Sequence, residues 1–149
     1  MHAKKILYPT DFSEYSEAAL AHATALARDT GAKLVIVHVK EPPDAYVDTG
    51  GFAGYPVDVN EAELLDELSK IKPTDPDVGY AHRLLTGDPA TEITQFAEKE
   101  GIDMIVLGTH GRRGLTRMLM GSVAEAVVRR ASCPVLTIKQ PSKEKVGAE

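Results

Sequence analysis

The sequence predicts an α/β fold: a single doubly wound domain built on a five-stranded parallel sheet with helices on both faces. Three observations lead there. Short apolar runs alternate with helical patterns along the whole chain, in the order β-α-β-α-β-α-β-α-β, and that alternation implies parallel strands joined by helical crossovers. The run Leu34-Val35-Ile36-Val37-His38-Val39 is continuously apolar instead of alternating, the mark of a strand covered on both faces. A length of 149 residues with 43% hydrophobic content suits one core, with a body of about 4–139 and a charged tail from 140 to 149.

Taken in order, Ile6-Leu7-Tyr8 is the first strand, stopped by Pro9. The first helix has two competing starts: Asp11, three residues before Glu14 as in a capping box, and Ser13. Ala19, Leu20, Ala23, Leu26 and Ala27 recur at helical spacing, and Thr30-Gly31 ends the helix. Residues 34–39 form the second strand. From Glu41 to Val59 the chain reads as a loop rich in Pro and Gly, long enough to be functional, mobile or both. Glu61 to Ile71 is a short helix with Leu64, Leu65 and Leu68 on one face, broken by Lys72-Pro73. Val78 to Leu85 is a less apolar strand, placed at a sheet edge. Asp88 caps the next helix with Pro89 at its first position, Ile93, Phe96 and Ala97 face inward, and Gly101 closes it. Asp103 to Leu107 is the fourth strand. The last helix runs from Val123 to Ala131, with Ser122 and Glu125 as a capping box, and Val135 to Ile138 is the fifth strand.

Between the fourth strand and the last helix lies Gly108-Thr109-His110-Gly111, then nine residues, then Gly121-Ser122, a G-x2-G-x9-G-S pattern. Glycines let backbone N–H groups approach an anion closely, and a helix start offers unpaired donors with a partial positive charge. The pattern is neither a Walker A loop nor G-x-G-x-x-G. Five arginines against Glu125 between residues 112 and 130 give a local charge of about +4 in a chain of net charge -5, which favours an anion there. Right-handed crossovers leave strand orders such as 3-2-1-4-5 or 2-1-3-4-5. In the first, the winding reverses between strands one and four, where ligands bind in such sheets. That order brings Pro9-Thr10-Asp11 to Gly108-Thr109-His110-Gly111, and the coincidence is part of the reason for choosing it.

Composition narrows the function. With 17 Lys+Arg against 22 Asp+Glu, no basic excess suggests a nucleic-acid partner. One cysteine, Cys133, precludes an intrachain disulfide and fits a reducing cytosol; it reads as a small buried apolar group. No signal-peptide-like or membrane-spanning run is apparent, so a cytoplasmic location without a membrane partner is expected. His2, His22, His38 and His82 show no metal-ligand spacing, and no metal site made by protein alone is expected. A phospho-accepting receiver domain would want an acidic cluster after the first strand and an acceptor Asp after the third, and neither is present.

The segments Pro9-Thr10-Asp11-Phe12-Ser13, His38-Val39, Gly87-Asp88-Pro89-Ala90, the glycine pattern and Cys133-Pro134-Val135-Leu136 together resemble the universal stress proteins of UspA type, in their ATP-binding branch. The likeness covers residues 4 to about 139. It implies the 3-2-1-4-5 sheet, adenine-nucleotide binding (ATP, or AMP or ADP) and a homodimer through the fifth strand, Val135-Ile138. It implies that Gly108 and Gly111 approach ribose and α-phosphate, and that Gly121, Ser122 and Val123 hold the outer phosphates. Asp11 would accept from adenine or ribose, and Pro9, Thr10 and Val39 would shape the adenine pocket, Val39 through its backbone. His110 and Arg112, with Arg113 and Arg117, stand where they reach phosphate or simply face water. Plainer roles exist for each: tight-turn geometry for the glycines, helix caps for Asp11 and Ser122, strand-end packing for Val39. Mg²⁺ bridging the phosphates is compatible with this set, because it keeps its waters and needs few protein ligands. No catalytic set is evident. The expected role is a nucleotide-dependent regulatory stress-response protein with an unidentified protein partner; a slow ATPase or phosphotransferase and a nucleotide-free interaction module are the alternatives.

Overall fold

The structure, a computed structural model, describes residues 3–42, 60–109 and 120–139. The elements are β1 (Lys5–Pro9), α1 (Glu14–Thr30), β2 (Lys33–Lys40), α2 (Glu61–Ser69), β3 (Tyr80–Thr86), α3 (Pro89–Lys99), β4 (Met104–Gly108), α4 (Ser122–Arg130) and β5 (Val135–Ile138). The sheet is five-stranded, all parallel, in the order β3-β2-β1-β4-β5. This is the doubly wound order expected from the sequence, and β3 lies at an edge as its weaker apolar pattern predicts. The loop expected over 41–59 falls outside the described residues from 43 onward, as does the tail from 140.

Strand pleating divides the core into two layers. Ile6, Tyr8, Leu34, Ile36, Met104 and Val106 point to one face, under Ala19, Ala23 and Ala27 of α1 and Leu68 of α2. Leu7, Val35, Val37, Val39, Ile105 and Leu107 point to the other, under Ala90, Ile93 and Ala97 of α3 and Ala124 and Val127 of α4. Both faces of the three central strands are therefore dry, which is why their sequences read as unbroken apolar runs. The small side chains on the inner face of α1 let its backbone lie close to the sheet.

Helix ends follow local chemistry, which decides between the two starts offered for α1 and departs from the sequence reading at the end of α2 and the start of α4. α1 starts at Ser13, whose side chain accepts from Ser16 N–H, so Ser13 wins over Asp11; the Asp11 carboxylate instead accepts the Ser13 N–H at 2.9 Å and its hydroxyl. Gly31 (φ 75°) and Gly101 (φ 65°) close α1 and α3 in the left-handed region that suits glycine. α2 ends at Ser69, earlier than expected, because Lys70 and Ile71 tighten into a three-residue turn ahead of Pro73. α4 is capped by Gly121, and Ser122 is its first helical residue, so the Ser122–Glu125 capping box is not formed; Glu125 pairs with Arg129 at 2.6 Å. Asp103 precedes β4, and its carboxylate takes the Lys4 and Lys5 N–H groups at 2.8 and 3.0 Å, clamping the start of β1. Those two donors hold its pKa below the usual value. Cys133 is half-buried against the second core layer, and burial raises its thiol pKa.

Two measurements test this packing. Tyr8 is 1% exposed and donates to the Ser16 carbonyl at 2.6 Å. Burial pushes its pKa up from 10.0 to about 12. The folded chain keeps this proton where the unfolded chain releases it, so the associated stability is whole below pH 10 and is lost as pH rises toward 12. Alkaline titration followed by tyrosinate absorbance should show one tyrosine ionising late, and Tyr8→Phe should remove that component. Asp88 caps α3 by accepting from the Thr91 N–H at 3.1 Å and hydroxyl at 2.8 Å. Asp88→Ala should lower stability by about 1 kcal/mol in urea unfolding.

Candidate functional site: the crevice between β1 and β4

The sheet opens at its C-terminal end for a local reason. β1 pairs with β2 as far as Pro9↔Val37, but with β4 only as far as Leu7↔Ile105. Thr10 N–H donates to the Val37 carbonyl at 2.8 Å, so alternation turns the nitrogen of Pro9 toward β4. Proline has no N–H to give, and the ladder on that side cannot continue. The ladder between the two strands ends where the winding direction reverses.

Each wall of the crevice is fixed by its own bonds. On the β1 side, Thr10 is buried: its hydroxyl pairs with the Ser16 hydroxyl at 3.0 Å and accepts the Phe12 N–H at 3.0 Å. Phe12 has φ 66°, a left-handed conformation rare for an aromatic residue, and its ring packs against His38 with centroids 4.2 Å apart. The His38 imidazole reaches back to the Thr10 carbonyl through Nδ1 at 2.8 Å. At the end of β2, Val39 is buried on the α3/α4 face. Lys40 is an ion-pair partner of Glu61 at 3.7 Å, tying that strand end to the start of α2.

On the β4 side, Thr109 N–H donates to the Ile138 carbonyl at 3.1 Å, and the Thr109 carbonyl accepts the Gly121 N–H. The two ends of the glycine loop are thus bonded to each other. The N-termini of α1, α2 and α3 are capped by the side chains of Ser13, Asn60 and Asp88. α4 has no side-chain cap, and the N–H groups of Ser122, Val123 and Ala124 meet no acceptor among the described residues. A nine-residue helix with bare donors and the positive end of its dipole at the crevice is suited to an anion.

The same fold is found in known proteins. The profile of the Universal stress protein family matches residues 2–139. The chain belongs to that family. Universal stress protein MJ0531 of Methanocaldococcus jannaschii is 41% identical over 151 aligned positions, covering 95% of this chain and 85% of the relative. The solved structure of MJ0577, a protein of the same organism that is also named a universal stress protein, superposes with a TM-score of 0.81 at 32% identity, covering 96% of this chain and all of that one. Two further universal stress protein structures are nucleotide complexes, each 25% identical: one with cAMP (TM-score 0.61, covering 93% of this chain and 98% of the other) and one from Archaeoglobus fulgidus with dAMP (TM-score 0.59, covering 93% and 100%).

Of the residues singled out in the sequence, Pro9, Thr10, Asp11 and Val39 lie at the ends of β1 and β2, and Gly108, Gly121, Ser122 and Val123 lie at the end of β4 and the start of α4. His110, Gly111, Arg112, Arg113 and Arg117 are outside the described residues. Two features were not legible. The left-handed backbone of Phe12 has no signal in an aromatic residue, and His38, though part of the His38-Val39 segment that carries the resemblance, had no side-chain role assigned to it.

The opening at Pro9 can be tested directly. Pro9→Ala restores an N–H facing the Val106 carbonyl. The new amide should be protected in hydrogen exchange, and the β1–β4 ladder should lengthen by one bond.

Proposed function

We propose that this universal stress protein binds an adenine nucleotide, ATP foremost, across the β1–β4 crevice, and that occupancy regulates a surface read by a protein partner. The observation that carries this reading is the uncapped N-terminus of α4, facing the crevice beside the bonded mouth of the glycine loop. In this reading Ser122 and Val123 N–H, the Ser122 hydroxyl and the backbone at Gly121 take phosphate oxygens. Gly108, with Gly111, lets ribose and α-phosphate approach. Pro9, Thr10, Asp11 and Val39 enclose the base and ribose, while His110 and Arg112 complete the phosphate side. Mg²⁺ would bridge phosphate oxygens and keep its waters. The adenine nucleotides bound by the two relatives support the ligand class. Binding rather than turnover is the activity proposed.

The second part of the proposal is a homodimer through β5. β5 is a sheet edge, its Leu136 is 38% exposed, and an apolar edge invites pairing. Among the described residues no helix is long and apolar enough to cross a membrane.

Calorimetric titration of the purified chain should give saturable heat with ATP, and mass spectrometry of the denatured protein should find adenine nucleotide released. Asp11→Ala should weaken ATP about tenfold, the loss of one charge-assisted hydrogen bond. Absence of both ATP and AMP binding at millimolar nucleotide would overturn the reading. For the dimer, sedimentation should give twice the monomer mass at micromolar concentration, and Leu136→Lys should yield monomer.

A further inference from the structure

Parallel pairing dictates which way each backbone group of β2 faces. Leu34 N–H donates to the Gly79 carbonyl just before β3, whereas the Val37 carbonyl receives Thr10 N–H from the β1 side. Even residues therefore turn their backbone groups to β3 and odd residues to β1. The next rung toward β1 would run from Val39 N–H to the Thr10 carbonyl. That rung is not made. His38 Nδ1 occupies the Thr10 carbonyl at 2.8 Å instead, and because a carbonyl only accepts, the proton is on Nδ1. The imidazole is held against the Phe12 ring, tilted by 33°, and Phe12 is itself locked by the Thr10 hydroxyl at 3.0 Å. The result is a Val39 N–H and C=O that face the β1 side beyond the end of the ladder, with no hydrogen bond from that N–H among the described residues.

We propose that His38 is a specificity-positioning residue. By taking the Thr10 carbonyl in place of the backbone, it keeps Val39 N–H turned to the crevice beside Val39 C=O. An adjacent donor and acceptor of this kind match a base edge that offers a ring-nitrogen acceptor next to an amino donor, as adenine does. Hypoxanthine presents the reverse, a ring N–H beside a carbonyl, and would leave both Val39 groups facing like partners. The proposal rests on the adenine-nucleotide reading above and deepens it: base selection is set by a side chain that need not touch the base.

The experiment uses the whole chain with two substitutions. His38→Phe keeps a ring against Phe12 but loses the donor. His38→Asn loses the ring but keeps an amide donor at the same distance from the backbone. Two quantities are read: the ratio of ITP to ATP dissociation constants, and hydrogen exchange at the Val39 amide in nucleotide-free protein. Wild type should favour ATP by about tenfold or more, with a Val39 amide that exchanges faster than those of Val35 and Val37. In His38→Phe the Val39 amide should take the Thr10 carbonyl, its exchange should slow about tenfold, and the ATP preference should fall to about threefold or less while triphosphate still binds. His38→Asn should stay near wild type in both. A protected Val39 amide in wild type overturns the proposal without any variant, and so does an undiminished ATP preference in His38→Phe. Wild type that binds no ATP would instead overturn the adenine-nucleotide reading itself.

Discussion

The nitrogen of Pro9 carries no hydrogen, and it faces β4. From that one absent donor follows the end of the β1–β4 ladder at Leu7↔Ile105, at the position where the winding of the sheet reverses and where ligands bind in such sheets. The opposite side of β1 is zipped to β2 two residues further, through Pro9↔Val37. A strand paired to its end on one side and released on the other holds its last residues in a fixed place while leaving one flank open. Thr10, bonded to Val37, and Asp11 follow directly from that end.

The same end of the sheet receives the starts of the four described helices, because every crossover leaves a strand at its C-terminal end. Three of those starts are closed by Ser13, Asn60 and Asp88. Only α4, of the four described, follows a glycine and keeps its first N–H groups without a side-chain acceptor. With glycine at the cap position, the missing side-chain bond costs the helix only about a few tenths of a kcal/mol. Here that cost falls beside a glycine loop whose ends are bonded through Thr109 and Gly121. Among the described helix starts, the one least satisfied by the protein itself is therefore where β4 hands over to α4, and that start has most to gain from an anion.

The β1 wall has the opposite character: its polar groups are heavily committed. Thr10 alone uses its N–H, carbonyl and hydroxyl, to Val37, His38, and Ser16 and Phe12 respectively. The strained backbone of Phe12 is kept by these bonds and by its ring contact with His38. A rigid wall beside an open helix start divides the labour expected of a site that must recognise one part of a molecule by shape and another by charge.

The sequence by itself determined the class of fold, because hydrophobic periodicity is a local record of which faces are buried. Continuous apolar runs marked the strands covered on both sides, and alanine at helical spacing marked the inner face of α1; on α2 the face expected to hold Leu64, Leu65 and Leu68 buries Leu64 and Leu68 and leaves Leu65 half exposed. The caps at Asp88, Gly31 and Gly101 were legible because turn and cap chemistry acts over three or four residues. The glycine pattern and Pro9-Thr10-Asp11 were legible as candidates for the same reason. What the sequence left open needed partners distant along the chain. Whether Asp11 or Ser13 starts α1 is decided by how the turn folds under Thr10, and Ser122 yields the cap position to Gly121 because the Gly121 N–H is drawn to Thr109. The strand order was chosen in part from motif placement, and the ladders decide it. His38 is the clearest case. Its neighbours in sequence make it one residue of a buried strand, while its partner, the Thr10 carbonyl, lies 28 positions away and meets it only when β1 and β2 align in register.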